Sequence, residues 1–130
     1  MADITADRVP VRRPAELFAD PLAPGALIPT GGMYVIDDNG LATPATTETN
    51  GPVRGIALRR ADASDGDDKV EGAQGCFLFE TDGSITAADI GKKDAKVVDC
   101  HTVGIAGGPT AGRIFDVTEA GVFVEIGNRA

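Results

Sequence analysis

Apolar residues in this chain come in short runs, each closed within a few residues by glycine, proline or aspartate. Such punctuation suits short β-strands and tight turns and leaves little room for long helices. The clearest pattern lies near the end. There Ala111-Gly-Arg-Ile-Phe-Asp-Val117 and Val122-Phe-Val-Glu-Ile126 flank the polar turn Thr118-Glu-Ala-Gly121. This spacing predicts a β-hairpin with Val117 opposite Val122, Phe115 opposite Val124 and Arg113 opposite Ile126. One face then carries Phe115, Val117, Val122, Val124 and Ile126, and the other Ile114, Asp116, Phe123 and Glu125. A slip of one residue would pair an apolar row with a polar one, so the pattern sets the register.

Upstream, residues 26–28 and 33–36 read as strands around the turn Pro29-Thr-Gly-Gly32. Asp37-Asp-Asn-Gly40 predicts a turn with positive φ at its last two residues, leading into a return strand over 41–45. Strands follow over 53–59 and 70–80, separated by the acidic loop 61–68, and Gly72 with Gly75 marks a bulge or bend in the longer one. Thr86-Ala-Ala-Asp89 predicts one helical turn, with Thr86 and Asp89 capping each other and Gly91 ending it. Short strands over 95–99 and 102–105 lead into the hairpin. Eight or nine short strands and one helical turn predict an all-β fold, a small β-barrel or β-sandwich of short antiparallel strands. Its core would hold the hairpin's apolar row together with Phe77 or Leu78.

Residues 1–24 break this pattern. Pro10, Pro14, Pro21 and Pro24 remove backbone donors and disfavour regular pairing. The reading is an extended, Pro-rich N-terminal arm, 1–24, ahead of a β-domain over 25–130. Within the arm, residues 14–20 could form one helical turn that starts at Pro14, with Leu17 and Phe18 as its bulky apolar pair. An arm of this kind orders when it meets another subunit, and Arg12 and Arg13 are its charged contacts.

Composition narrows the classes. The 130 residues are 42% hydrophobic, enough for a single core, but only 5% aromatic, with no Trp, 17 Gly and 8 Pro. A net charge of −8 repels phosphate, which argues against nucleic acid and against an anionic membrane as partners. No apolar run is long enough to span a bilayer, and no secretory signal pattern is visible, so folding in a cytoplasm is expected. Cys76 and Cys100 are then expected as buried free thiols.

Candidate chemistry is sparse. Asp62, Asp65, Asp67, Asp68 and Glu71 crowd one loop, but their spacing does not fit a calcium loop, and a solvated turn is the simpler reading. Asp99-Cys-His101 puts a thiol beside the chain's single imidazole, yet neighbours on a strand point to opposite faces and cannot form a nucleophile–base pair. Gly31-Gly32 and Gly107-Gly108 lack the spacing of phosphate-binding loops. No catalytic residue, metal site or cofactor is expected.

Several segments resemble small head proteins of tailed bacteriophages, described as capsid decoration, cement or head-fibre-base proteins. They are Gly32 to Ala45, Gly55-Ile-Ala57, Ile85-Thr-Ala-Ala-Asp-Ile-Gly-Lys-Lys93, Ala95-Lys-Val-Val-Asp-Cys-His-Thr-Val103 and the closing hairpin. The resemblance covers about residues 25–127. It implies a β-barrel-like protein without enzymatic activity, made in the host cytoplasm and located on the outer capsid surface. There it would bridge major capsid proteins, commonly as a homotrimer. In that setting the lattice contacts are expected in the arm, at Val9, Val11, Arg12, Arg13, Leu17 and Phe18. Rival readings are a head–tail connector or tail component, a trimeric β-barrel enzyme resembling dUTPase, and a carrier domain of the biotinyl type. The dUTPase reading lacks its motif around Ala111-Gly112, and the carrier reading lacks a lysine at the hairpin tip, Thr118-Glu-Ala-Gly121.

Overall fold

Frequent glycines and prolines divide the chain into strands of two to nine residues in a computed structural model, which describes residues 17–127. In chain order they are β1 (Leu17–Pro21), β2 (Leu27–Ile28), β3 (Met33–Ile36), β4 (Ala42–Pro44), β5 (Gly55–Ala57) and β6 (Ala61–Asp62). Then come β7 (Lys69–Ala73), β8 (Gly75–Thr81), β9 (Asp94–Asp99), β10 (Thr102–Gly104), β11 (Thr110–Thr118) and β12 (Gly121–Ile126). Two single 3-10 turns, Ala63–Asp65 and Ala87–Asp89, are the only helical pieces among the described residues. The fold is all-β, and it contains a closed barrel.

The barrel takes the C-terminal half, with strand order β10-β8-β12-β11-β9. Its pairs are antiparallel except β10 with β8, which is parallel and departs from the expected all-antiparallel arrangement. The first half forms a second sheet, in the order β1-β7-β5-β3-β4, and a small β2-β6 ribbon. This sheet curls until Leu22, just past β1, makes a parallel bridge with Ala42 of β4. The expected single strand over 70–80 is thus two strands, β7 in one sheet and β8 in the other. The chain changes sheets at Gln74, and Gly75, with φ +145°, takes a conformation that side chains disfavour.

Two cores follow from this division. Barrel residues such as Phe79, Val97, Ile114, Val122, Val124 and Ile126 pack together with Met33, Val35, Ile56 and Ala73 from one face of the sheet. The other face supplies Tyr34, Ala57 and Val70 to a second cluster with Leu22, Ile28, Ala42 and Ala61. Alternation along β3 therefore sends Met33 and Val35 to one core and Tyr34 and Ile36 to the other. Two backbone bonds fasten sheet to barrel: Met33 N–H donates to the Cys100 carbonyl at 2.8 Å, and Val53 N–H to that of Thr110 at 3.0 Å.

Burying Tyr34 obliges its hydroxyl to find a partner. It donates to Asp20 Oδ2 at 2.8 Å, and Arg54 Nε reaches the same oxygen at 3.1 Å. The Arg54 guanidinium lies 3.9 Å from the centre of the Phe18 ring. A Cβ on Gly72 would collide with the Tyr34 hydroxyl and the Phe18 ring, and one on Gly55 would meet Phe18 at 2.9 Å. Two bare glycines thus make the slot that Phe18 fills.

These contacts correct the reading of the N-terminal segment. Residues 17–21 are a paired strand, in register with β7 from Leu17↔Ala73 to Pro21↔Lys69, and not the end of a helical turn or an unpaired arm. Pro21 is tolerated because β1 is the last strand of the sheet, where a missing donor leaves no neighbour unpaired. Three smaller expectations also shift. The helical turn at Ala87–Asp89 is present, with Asp89 Oδ2 accepting from Thr86 N–H at 2.9 Å, but a second turn joins it at Ala63–Asp65. Only Gly40, and not Asn39, has positive φ in the turn after β3. Cys76 is exposed, and only Cys100 is partly buried.

Burial, and then the hydrogen bond to Asp20, raise the Tyr34 pKa far above its ordinary value. The folded state holds a proton that the unfolded chain releases near pH 10. The stability tied to this proton is complete below that pH and declines as pH rises above it. Tyr34 is the chain's single tyrosine, and there is no tryptophan, so phenolate absorbance reports this one group. Alkaline titration is expected to show no ionisation while the circular dichroism remains native, and ionisation only with unfolding. A folded protein titrating with a midpoint near 10 would contradict the network.

Candidate interaction surface

The closing hairpin is where the structure departs most usefully from the pattern. Val117 pairs with Val122 as expected, and Asp116 then pairs with Phe123. The next pair is Ile114 with Val124, so the register shifts and Phe115 has no partner across the ladder. This is a β-bulge, which inserts a residue in one strand and re-aims its side chains. Arg113 accordingly faces Glu125, 3.8 Å from it, and not Ile126. Ile114 is fully buried, while Phe115 is 55% exposed. The expected core row therefore holds with one correction: Ile114 takes the place of Phe115.

The adjacent strand completes a face. Phe79 is buried and Phe77 packs against the core from a half-buried position, whereas Leu78, the other candidate, points out with 45% exposure. Register puts Leu78 beside Phe123, and Phe123 beside Asp116 and the bulge. Cys76 lies beside Glu125. The outer surface of β8, β12 and β11 thus carries Leu78, Phe115 and Phe123 in an apolar group. Glu80, Asp116 and Glu125 border it against a single guanidinium, Arg113. Partial burial, then the Glu125 and Asp116 carboxylates, raise the Cys76 thiol above its ordinary pKa and keep it protonated.

Other candidate sites resolve into structure. Arg54, Gln74, Asp94, Arg113 and Glu125 line a groove of about 520 Å3 beside the sheet–barrel junction. Its charges largely serve each other: Arg54 pairs with Asp20 and Arg113 with Glu125, while Gln74 Nε2 donates to the Arg54 carbonyl at 2.9 Å. In the acidic loop, Asp62 Oδ1 accepts from Ser64 N–H at 2.9 Å and Asp67 Oδ2 from Asp62 N–H at 2.8 Å. Those are turn contacts, and no group of three His, Cys, Asp or Glu side chains is placed to hold a metal ion among the described residues. Cys100 and His101 occupy the β9–β10 turn. His101 Nε2 lies 3.4 Å from the Thr30 carbonyl, and burial with the nearby Asp99 raises the Cys100 thiol pKa. That keeps the thiol in its less nucleophilic form.

Of the arm residues expected at a partner contact, Val9, Val11, Arg12 and Arg13 lie outside the described residues. Leu17 is 61% exposed at the start of β1. The half-buried Phe18 ring sits in the slot between Gly55, Gly72 and Arg54 of its own domain. No protein-family model, curated protein or solved structure matches the chain.

The bulge sets a contrast between neighbours. Ile114→Ala is expected to cost about 2–4 kcal/mol of stability, as burial of an aliphatic side chain in a packed core implies. Phe115→Ala should stay within about 0.5 kcal/mol of the parent, as exposed positions do. Chemical denaturation of the two variants checks this, and a larger loss at Phe115 would restore the unbulged register.

Proposed function

We propose that this chain is a virion structural protein. It binds the outside of an assembled phage-type capsid and cements the lattice of major capsid proteins, as a homo-oligomer and without enzymatic activity. The observation that carries this reading is the mooring of β1. Asp20 and Phe18 are fastened to Tyr34, Arg54 and the two slot glycines, so the sixteen residues before Leu17 are joined to a fixed point on the sheet that packs against the closed barrel. A tether that starts from a rigid body adds affinity through a second contact beyond the footprint of the body.

The rest of the molecule fits that use. Net charge −8 favours solubility before assembly and disfavours contact with packaged nucleic acid. Exposed Leu78 and Phe115, beside half-buried Phe123, give the barrel a surface suited to protein contact. Arm contacts to the lattice are assigned to Val9, Val11, Arg12, Arg13 and Leu17. A protein that binds the assembled lattice and not dispersed subunits stabilises the shell by mass action.

Co-sedimentation with undecorated capsids tests the reading. The full chain should saturate at a fixed ratio to the major capsid protein. A variant lacking residues 1–16 should stay folded and lose most of that binding, whereas removal of residues 1–20 should also unfold the sheet by deleting β1. Undiminished binding of the shorter deletion, or no binding by the folded full chain, would overturn the assignment.

A further inference from the structure

The β-bulge puts Phe115, in place of Ile114, on the outer face beside Asp116 and Phe123. That leaves exposed Leu78 and Phe115 beside half-buried Phe123, bordered by three carboxylates and one paired arginine. Two such faces would meet with like charges opposed, which disfavours a second copy docking through the same surface. The complement is an apolar segment carrying positive charge. Residues 8–13, Arg-Val-Pro-Val-Arg-Arg, have three arginines, two valines and no acid, in a chain whose net charge is −8.

Connectivity places that segment within reach. Leu17 pairs with Ala73, and β8 begins two residues later at Gly75, so the chain before Leu17 starts near the base of the face. From Ala73 to Glu80 is at most about 25 Å along the chain, and residue 8 can lie up to about 31 Å from Leu17. We propose that residues 8–13 dock on the outer face of their own barrel, the valines against Leu78, Phe115 and Phe123 and the arginines toward Glu80, Asp116 and Glu125. The contact concerns the free protein and does not depend on capsid binding. It holds the arm on the body until a stronger partner competes for it.

Backbone amide shifts of the full-length protein test this. Arg12→Glu/Arg13→Glu and Val9→Ser/Val11→Ser are compared with the parent; both pairs leave the barrel sequence intact. The amides of residues 76–80, 115–116 and 122–125 should shift in both variants, by amounts unchanged on dilution. Added salt should move the parent's shifts toward those of the charge variant. Two results would overturn the proposal. Differences confined to residues near Leu17 would mean that the face is not covered by the arm. Differences that vanish on dilution would mean that the arm docks on a neighbouring copy instead.

Discussion

The hydroxyl of Tyr34 constrains much of the first half of this molecule. A strand of four residues, Met33–Ile36, faces two cores at once, and its largest side chain points into the smaller one. A buried phenol without a partner would cost roughly 1–3 kcal/mol, so an acceptor must be supplied from within that core. Asp20 supplies it, which ties β1 to the sheet. Arg54 then balances the carboxylate and covers Phe18. Gly72 and Gly55 have to remain without side chains, because the hydroxyl and the ring occupy that space.

This arrangement explains how a short chain poor in aromatic residues stays ordered. Neither core is large, but they share the central sheet, and backbone hydrogen bonds from Met33 and Val53 connect that sheet to the barrel. The closed barrel has no free edge strands, and the two ends of the sheet meet at a single bridge from Leu22 to Ala42. Closure of this kind removes the unpaired backbone groups that lead to edge-to-edge aggregation.

The all-β class and most turns were legible in the sequence, because glycine, proline and the Thr86–Asp89 capping pattern act locally. What was not legible depends on distant partners. The strand at Leu17–Pro21 is held by Asp20 reaching Tyr34 and Arg54, contacts that no local pattern announces, while its prolines argue for an unpaired arm. The role of Gly72 likewise comes from Tyr34 and Phe18 rather than from a bend in its own strand. The bulge was hidden for another reason: Ile114 and Phe115 are both apolar, so alternation alone cannot say which one faces inward. That ambiguity reached the candidate surface directly, since the same shift buries Ile114 and exposes Phe115.

The molecule thus combines an acidic body, an N-terminal segment anchored to it at β1, and an outer face on which a bulge sets Phe115 in place of Ile114. The proposed cementing role concerns shell stability and not only binding. The most direct measurement is calorimetry of undecorated capsids, with and without saturating protein. Shells that carry the protein should dissociate at a higher temperature, and dispersed capsid subunits should be unaffected. An unchanged shell transition at saturation would contradict that role.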